Sequence, residues 1–348
     1  MSILLYGAYG YTGELIAREA TARDLDVVLA GRNGTKTRGL AAMLDTDSRV
    51  FATDEAPDYL DDIDILLNCA GPFIETSGSL VDACLDTGTH YLDITGELPV
   101  FETLAERDRD AERVDSLLLP GIGFDVVPTD CVAGHLHDRL PGATDLRLGI
   151  DAAGSISSGT AVTALKLAGG GGKIRRDGRI VDVPVASERR TVDFGDGPRH
   201  AARIPWGDIS TAYYTTGIEN IEVYAPMPAT VARLLELGAG SLLGIGPVQR
   251  ALQSLARRLL DGPSAHERET GRALIWGEAT DGDRTVTTRL RSPEPYALTV
   301  DAATTAVSRL ADSDQVPTGY QTPASAFDPD FVRQLDGVEG FFDGTAAE

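Results

Sequence analysis

The chain opens with a short apolar run followed by a glycine-rich turn. Ile3-Leu4-Leu5-Tyr6 precedes the turn, and helical spacing begins at Tyr11. In a strand–turn–helix unit, the first glycine permits a tight turn, the second lets a pyrophosphate approach the backbone, and the third lets the helix pack on the strand. The helix N-terminus then presents free N–H groups to the phosphates. The turn predicts a dinucleotide-binding site made of Gly7, Ala8, Tyr9, Gly10, Tyr11, Thr12 and Gly13.

The end of the second predicted strand indicates which dinucleotide is bound. An NAD-binding protein usually carries Asp or Glu there, which holds the ribose hydroxyls. This chain has Gly31-Arg32-Asn33 instead, with Lys36 and Arg38 close by. Arg32 would pair with a 2′-phosphate that an acidic residue would repel. We therefore expect NADP(H), with Arg32 and Asn33 among the residues that contact it.

Further ligand contacts are expected where the other parallel strands end, because ligands lie beyond the carboxyl ends of such sheets. Asp54 follows the third strand and is expected beside the adenine. The fourth strand is followed by a loop expected under the nicotinamide ribose, made of Cys69, Ala70, Gly71 and Pro72. Thr95-Gly96-Glu97 and Gly121–Asp125 follow the next two strands. All these loops should converge on one cleft.

No acid–base residue is obvious from spacing alone. Asp125 lies in the loop after the sixth strand, where it would position a substrate, relay a proton or cap the next helix. Tyr213 is a second candidate proton donor. The residues expected to contact substrate are Phe73, Phe124, Ser158 and Thr160. Ser158 and Thr160 open a predicted helix, which they would cap if they do not bind substrate.

These residues need a sheet that brings its strand ends together. Six apolar runs in the first 130 residues are separated by helical segments, which predicts a parallel sheet covered on both faces. The predicted strands are Ile3–Tyr6, Val27–Ala30, Val50–Ala52, Ile63–Cys69, His90–Ile94 and Ser116–Leu119. The predicted helices include Tyr11–Arg23, Ser79–Thr87 and Pro99–Arg113. The fold class is therefore α/β, with an N-terminal Rossmann doubly wound sheet.

The pattern changes after about Asp130. Alternating segments joined by turns predict a second α+β domain with a mixed, mostly antiparallel sheet. We assign residues 1–130 to an NADP-binding Rossmann domain and 131–311 to a domain for substrate binding and dimerisation. Residues 312–348 are expected to pack back on the Rossmann domain. The clearest predicted helices of the second half are Thr160–Ala168, Val248–Leu260 and Leu298–Leu310.

Composition limits the partners of the chain. It has 348 residues and a formal net charge of −22, which disfavours nucleic acid, since phosphate binding needs a basic face. Only three of its 31 basic residues are lysines, and Asp outnumbers Glu by 35 to 18. Salt screens self-repulsion, so this surface is typical of a halophilic cytoplasm.

Three isolated cysteines without a CxxC pair argue against a zinc site or a disulfide framework, and no metal is expected. The chain enters a strand directly, without a basic segment or cleavage site, so a cytoplasmic location is expected. Leu237–Val248 is too short to cross a bilayer, which needs ~20 residues. The apolar stretch Leu234–Leu260 could instead line an acyl channel, touch a membrane surface, or pack as helices on the second sheet.

The chain resembles the saccharopine dehydrogenase-like oxidoreductases, in particular the branch with the trans-acting enoyl reductases of lipid biosynthesis. The matching segments are LLYGAYGYTGELIA, LAGRN, NCAGPF, ACLDTGTHYLDITGE, GIGFDVVPTD, SSGTAVTAL and YQTPASAF. This resemblance implies an NADP-binding Rossmann domain, a second domain on a mixed sheet and a C-terminal segment that returns to the first domain. It also implies hydride transfer to or from an unsaturated or carbonyl substrate of small-molecule or acyl type.

Two other functions remain open. The chain could be an NADP(H)-binding accessory protein without turnover, acting on a partner or at a membrane surface. It could also be a true saccharopine or opine-type dehydrogenase, although no basic cluster for a dicarboxylate stands out in the second half. In each case a homodimer is expected.

Overall fold

The computed structural model describes residues 1–152, 171–184, 186–228, 230, 233, 264–313 and 315–345. The chain divides into two compact units. The first comprises Met1–Val127 and Tyr296–Ala326, and the second comprises Pro128–Pro295 and Phe327–Glu348.

The first unit is built on a seven-stranded parallel sheet with the strand order β15-β6-β5-β4-β1-β2-β3. Its strands are β1 Ile3–Tyr6, β2 Val27–Ala30, β3 Ser48–Arg49, β4 Ile65–Asn68, β5 His90–Asp93, β6 Leu117–Leu119 and β15 Gly319–Tyr320. The order reverses between β1 and β4, which makes the carboxyl ends of these two strands the point where such sheets bind ligands. The predicted Rossmann sheet is confirmed.

Helices cover this sheet, and the longer ones bury an apolar stripe against it. They are α1 Tyr11–Ala22, α2 Gly34–Leu44, α3 Phe73–Thr87, α4 Leu98–Ala105, α5 Asp108–Arg113, α9 Pro295–Ala311 and α10 Pro323–Phe327. The main core cluster combines residues that face one side of the strands, among them Leu4, Leu66, Tyr91 and Leu118, with residues of α3 and α4. Burial of these side chains fixes the positions of the strand ends.

Three predicted boundaries in this unit are wrong. The third strand is Ser48–Arg49 rather than Val50–Ala52, because the backbone leaves the sheet while the Phe51 side chain stays in the core. Helix α3 begins at Phe73 rather than near Ser79, since the Glu97 carboxylate accepts from the first two amides of the helix. The segment predicted as one helix over Pro99–Arg113 is divided into α4 and α5.

The second unit contains a nine-stranded mixed sheet. Its strands are β7 Asp145–Ala152, β8 Gly172–Arg176, β9 Arg179–Val183, β10 Arg189–Asp193, β11 Pro198–Ile204, β12 Asn220–Pro226, β13 Arg272–Thr280, β14 Thr285–Pro293 and β16 Glu339–Thr345. Neighbouring strands are antiparallel except for the β7–β12 pair. The predicted mixed, mostly antiparallel sheet is confirmed.

The described helices of the second unit are α6 Val127–Arg139, α7 Asp208–Thr216 and α8 Ala265–Thr270. The side chains of Val132 and Leu136 on α6 lie against Gly277 of β13, so α6 covers one face of the sheet. The predicted helices Thr160–Ala168 and Val248–Leu260 lie outside the described residues, as does Leu234–Leu260 as a whole. No helix in the part of the chain that is described is long and apolar enough to span a membrane.

The compact units depart from the domain boundaries expected from the sequence. Helix α9, expected in the second domain, belongs to the first unit from Tyr296 onward, and Arg23 of α1 bonds to its Asp301 at 2.6 Å. In the C-terminal segment, β15 joins the first sheet, as expected for a return to the Rossmann domain. The residues after Ala326 belong to the second unit instead, because β16 pairs with β14 of the second sheet.

Candidate functional site

The glycine turn after β1 has the geometry of a phosphate cradle. Gly7 has a φ of +82°, and a methyl group there would lie 2.7 Å from the backbone nitrogen of Ala70. The Gly10 amide donates to the Gly7 carbonyl at 3.0 Å, and a methyl group at Gly13 would collide with the same carbonyl. Gly10 caps α1 without any side chain over its first amides. The turn therefore fits a dinucleotide pyrophosphate, as the sequence predicts.

The end of β2 presents exposed positive charge. Arg32, Lys36 and Arg38 are all exposed, and none of their side chains makes a hydrogen bond or ion pair with the residues that the structure describes. The Lys36 ammonium lies 5.7 Å from the centre of the Tyr9 ring. Asn33 caps α2, because its side chain accepts from the Lys36 amide at 3.1 Å. These groups meet the requirement for binding a 2′-phosphate.

The neighbouring loop after β3 lies at the same end of the sheet. Asp54 is exposed in a short 3₁₀ helix, Thr53–Tyr59. Burial raises the pKa of the Tyr6 hydroxyl to about 12, and Asp54 adds to this shift while Arg32 opposes it. The charges of Arg32 and Asp54 therefore act on the same hydroxyl at the end of β1. The contact of Asp54 and Arg32 with the adenosine end of a cofactor stays a prediction.

Side-chain hydrogen bonds from Asn68 and Thr76 hold the loop after β4 in place. The Ala70 amide donates to the Asn68 side chain at 2.9 Å, and the Thr76 hydroxyl donates to the Ala70 carbonyl at 2.7 Å. The Gly71–Pro72 peptide bond is cis. Burial raises the pKa of the Cys69 thiol far above its ordinary value, so Cys69 is a thiol rather than a thiolate at neutral pH.

Asp93 closes β5 and is fully buried. One of its carboxylate oxygens accepts from the amides of Thr95 and Gly121, both at 2.9 Å. The other accepts from the Tyr91 hydroxyl at 2.8 Å. Burial raises the pKa of Asp93 to about 6, although these hydrogen bonds oppose the shift. The loops after β5 and β6 are thus hydrogen-bonded to the same carboxylate.

Asp125 lies in the loop between β6 and α6, where it was expected. A methyl group at Gly96 would come 2.6 Å from its carboxylate, so the loop after β5 packs directly on Asp125. Burial raises the pKa of Asp125 to about 6. A carboxyl group with such a pKa can take up or release a proton near neutral pH, as a general acid or base must. The role of Asp125 in proton transfer, in substrate positioning or in capping the next helix stays a prediction.

The aromatic candidates beside Asp125 differ in exposure. Phe124 is buried and its amide donates to the Thr299 hydroxyl of α9 at 3.0 Å, so its side chain presents little surface to a ligand. Phe73 is half-buried at the start of α3. Tyr11 and Tyr296 meet edge to face with ring centres 5.1 Å apart. Helix α9 therefore contributes Tyr296 and Thr299 to the surroundings of the glycine turn and of the Asp125 loop.

The remaining candidates belong to the second unit. Tyr213 lies on α7, where the Arg175 guanidinium covers its ring at 4.1 Å. Arg175 itself is buried and donates to the carbonyls of Ile209 and Gly178. Ser158 and Thr160 lie outside the described residues, so their role in substrate binding stays a prediction.

Sequence reasoning missed the polar side chains beneath the site. Asn68, Tyr91 and Asp93 sit inside apolar runs and were assigned only to strands. A signal was present, because Asn and Asp are uncommon in buried strands unless their polar groups are paired. The contribution of Tyr296 and Thr299 to the site could not be predicted, because no local sequence pattern indicates that α9 packs with the first sheet.

Comparison with known proteins agrees with this geometry. Residues 3–116 match the model of the saccharopine dehydrogenase NADP binding domain. The trans-acting enoyl reductase of Mycobacterium leprae is 32% identical over 152 residues, which are 40% of this chain and 36% of that protein. A probable mitochondrial saccharopine dehydrogenase-like oxidoreductase of Arabidopsis thaliana is 32% identical over 151 residues, 37% of this chain and 33% of its own. The similarity thus spans about a third of the length of these curated relatives.

A solved structure extends the likeness to the whole fold. The apo saccharopine dehydrogenase (L-Glu forming) of Saccharomyces cerevisiae superposes with a TM-score of 0.66 at 13% identity, over 99% of this chain and 100% of that one. At this identity the likeness concerns the fold alone. Residues 3–116, which lie within the first unit, are thus similar to the NADP binding domain of saccharopine dehydrogenases, and the fold of the chain is similar to that of the yeast protein.

Proposed function

We propose that the chain is an NADP(H)-dependent oxidoreductase that transfers a hydride between the cofactor and an unsaturated or carbonyl carbon. The observation that carries this proposal is the uncapped glycine turn at the switch point of the sheet, with Arg32 at the end of β2 where an NAD-binding protein has an acid. The backbone amides of the turn donate to the pyrophosphate, and the Arg32 guanidinium donates to the 2′-phosphate. The match of residues 3–116 to the saccharopine dehydrogenase NADP binding domain supports this assignment.

The preference for NADP(H) follows from the charge balance. The chain has a net charge of −22, and many of its arginines form ion pairs with this excess of acids. Arg32, Lys36 and Arg38 stand free of ion pairs among the described residues. A charge-assisted bond to phosphate is worth about 1.5–3 kcal/mol. That is enough for a preference of tenfold or more.

The substrate class is proposed to be an enoyl thioester. The relatives named trans-acting enoyl reductase support it. A dicarboxylate substrate would need basic side chains that are not already neutralised. In the described part of the second sheet, Arg147 and Arg190 both pair with Glu278. Arg203 pairs with Glu188 and Glu222.

The proposed chemistry assigns few roles to side chains. When bound, the cofactor supplies the hydride that reduces the substrate double bond. The backbone at Gly7 and Gly10 holds the pyrophosphate, and Arg32 fixes the adenosine end. Asp125 supplies the proton that the adjacent carbon must receive, directly or through water.

The test begins with titration of the unmodified protein with NADPH and NADH, followed by cofactor oxidation assays with enoyl thioesters, ketones, and a keto acid plus lysine. We expect tighter binding of NADPH and turnover with enoyl thioesters. Turnover only with the keto acid and lysine would favour a saccharopine-type enzyme. Tight NADPH binding without any turnover, together with a stable protein partner, would favour an accessory protein.

A homodimer, a cytoplasmic location and peripheral membrane contact are part of the same proposal. Light scattering at the salt concentration of the assay tests the first. Sedimentation with vesicles of anionic and neutral phospholipid tests the last, with a protein that stays in the supernatant as the outcome that contradicts it.

A further inference from the structure

We propose that Asn68, Tyr91 and Asp93 are positioning residues, whose buried hydrogen-bond chain holds three loops in the arrangement that accepts the nicotinamide end of the cofactor. The inference rests on the proposed binding of NADP(H). It goes beyond that function because none of the three side chains belongs to the glycine turn or to the expected proton-transfer group.

The first step is the anchoring of two loops on Asp93. The Thr95 amide follows β5 and the Gly121 amide follows β6, and both donate to one oxygen of this carboxylate at 2.9 Å. All polar atoms of Asp93 are withdrawn from water, since the residue is 0% exposed. A buried carboxylate is costly unless it is well paired, so its loss would release both loops at once.

The second step connects Asp93 to the loop after β4. The Tyr91 hydroxyl donates to Asp93 at 2.8 Å and accepts from the Asn68 side-chain amide at 3.2 Å. The Asn68 side-chain oxygen then accepts from the Ala70 amide at 2.9 Å. Asn68 of β4 is the register partner of Asp93 of β5. The chain of hydrogen bonds therefore runs across the two strands at their carboxyl ends.

The third step links this chain to the groups expected to meet the cofactor. On one side, Ala70 lies so close to Gly7 that a methyl group on Gly7 would be 2.7 Å from the Ala70 nitrogen. On the other side, the loop after β5 carries Gly96, which packs on the Asp125 carboxylate. The same loop carries Glu97, whose carboxylate holds the amides of Phe73 and Ile74 at the start of α3. A shift of these hydrogen-bonded side chains would therefore move the pyrophosphate turn, the Gly71–Pro72 loop and Asp125 relative to one another.

The test compares two ligands on matched variants. NADPH reaches both ends of the site, whereas 2′-phospho-ADP-ribose lacks the nicotinamide and reports on the adenosine end alone. Tyr91→Phe removes one buried hydroxyl from the chain. Thr89→Val is the control, because it removes another fully buried hydroxyl, which donates to the Ile63 carbonyl at 3.0 Å at the opposite end of the sheet.

We expect Tyr91→Phe to weaken NADPH binding about tenfold, the typical effect of one lost buried hydrogen bond, with less than about a twofold change for 2′-phospho-ADP-ribose. Thr89→Val should leave both affinities unchanged. Equal effects of the two variants, or equal loss for the two ligands, would overturn the positioning role. Failure of the unmodified protein to bind either ligand would overturn the proposed function itself, and this inference with it.

A second measurement needs no variant and covers the case in which Tyr91→Phe does not fold. Amide hydrogen exchange of the unmodified protein is followed with and without NADPH. The amides of Ala70, Thr95 and Gly121 should slow together, by a common factor, when NADPH binds. Slowing confined to the glycine turn, with these three amides unchanged, would contradict the proposal.

Discussion

Gly7 of β1's turn and Ala70 of the loop after β4 pack so closely that a methyl group on Gly7 would lie 2.7 Å from the Ala70 nitrogen and 2.8 Å from its methyl group. The two residues follow adjacent parallel strands, β1 and β4, at the point where the strand order reverses. The turn that is expected to hold the pyrophosphate and the loop that is expected under the nicotinamide ribose are therefore one packed unit. A substitution in the turn should therefore alter the position of the loop, and a substitution in the loop should alter the position of the turn.

Gly7→Ala tests this packing. The substitution forces alanine into a φ of +82° and against Ala70, which should cost about 2–4 kcal/mol of unfolding free energy. NADPH binding should be lost under conditions where the variant is still folded. Denaturant unfolding and NADPH titration are the measurements. Gly78→Ala is the control, because Gly78 lies exposed in α3 with no atom near its missing methyl group, and this change should stabilise the protein by about 0.5–1 kcal/mol.

Arg32→Asp should reverse the cofactor preference from NADPH to NADH. An attractive contact with the 2′-phosphate becomes a repulsion, while a carboxylate at the end of β2 can accept from the ribose hydroxyls of NAD. Titration of both cofactors measures the change. Arg113→Asp alters the net charge equally at an exposed site in α5, so it should leave the preference intact. Equal affinities of the unmodified protein for both cofactors would contradict the prediction.

The parallel sheet could be predicted because its strands are continuous apolar runs bounded by glycine and helical segments. The same reasoning failed at β3, since Phe51 is buried without belonging to the strand. The sequence pattern also did not indicate helix α7, whose residues Ile209, Thr211, Tyr213 and Tyr214 are types common in strands. Tertiary packing overrides local preference there.

The candidate site was predictable where backbone shape carries the function, as at Gly7 and Gly10. It was not predictable where function depends on side chains joined across strands, as with Asn68, Tyr91 and Asp93. Such a chain exists only once the register of β4 and β5 is known. The contribution of α9 depends likewise on a long-range contact, between Phe124 and Thr299.

Stability should fall with rising pH through the titration of Asp93. Its pKa is raised from 3.8 to about 6 in the folded protein, so the folded state binds the proton more tightly than the unfolded state does. The resulting stabilisation is fully present below about pH 4 and is lost as the pH rises to about 6. At about 1.4 kcal/mol per pKa unit, the loss is up to about 3 kcal/mol. The measurement is the difference in unfolding free energy between the unmodified protein and Asp93→Asn from pH 4 to pH 7, and a constant difference would contradict the expectation.

Thermal stability should increase with salt. At a net charge of −22 the exposed carboxylates repel one another, and this repulsion is screened at a Debye length of about 3 Å in 1 M salt but not in dilute buffer. Melting curves in dilute buffer and in 2 M KCl should therefore differ strongly, with loss of the fold or of NADPH binding at low salt. A melting temperature independent of salt would show that the acidic composition has no bearing on stability.

Within that salt dependence, Glu278 should behave differently from the exposed acids. Its carboxylate bonds to Arg147 at 2.9 Å and to Arg190 at 3.0 Å, and its side chain is only 12% exposed. Salt screens buried pairs much less than exposed ones. Glu278→Gln should thus lower stability at every salt concentration, by about 2–4 kcal/mol, because it removes the acid that two partly buried cations share. Asp61→Asn, at an exposed acid, should have a small effect or stabilise the protein at low salt.

Asp125→Asn separates proton transfer from binding in the proposed reaction. The amide keeps the shape of the side chain but cannot release a proton, so turnover should fall by about 10²–10⁴ while NADPH affinity changes little. If the Asp125 carboxyl is the proton donor, turnover by the unmodified protein should also decline as the pH rises through about 6, where this group loses its proton. The variant should lack that decline. A variant with undiminished turnover, or one whose loss lies wholly in NADPH affinity, would assign the proton to water and leave Asp125 as a group that shapes the loop beside Gly96.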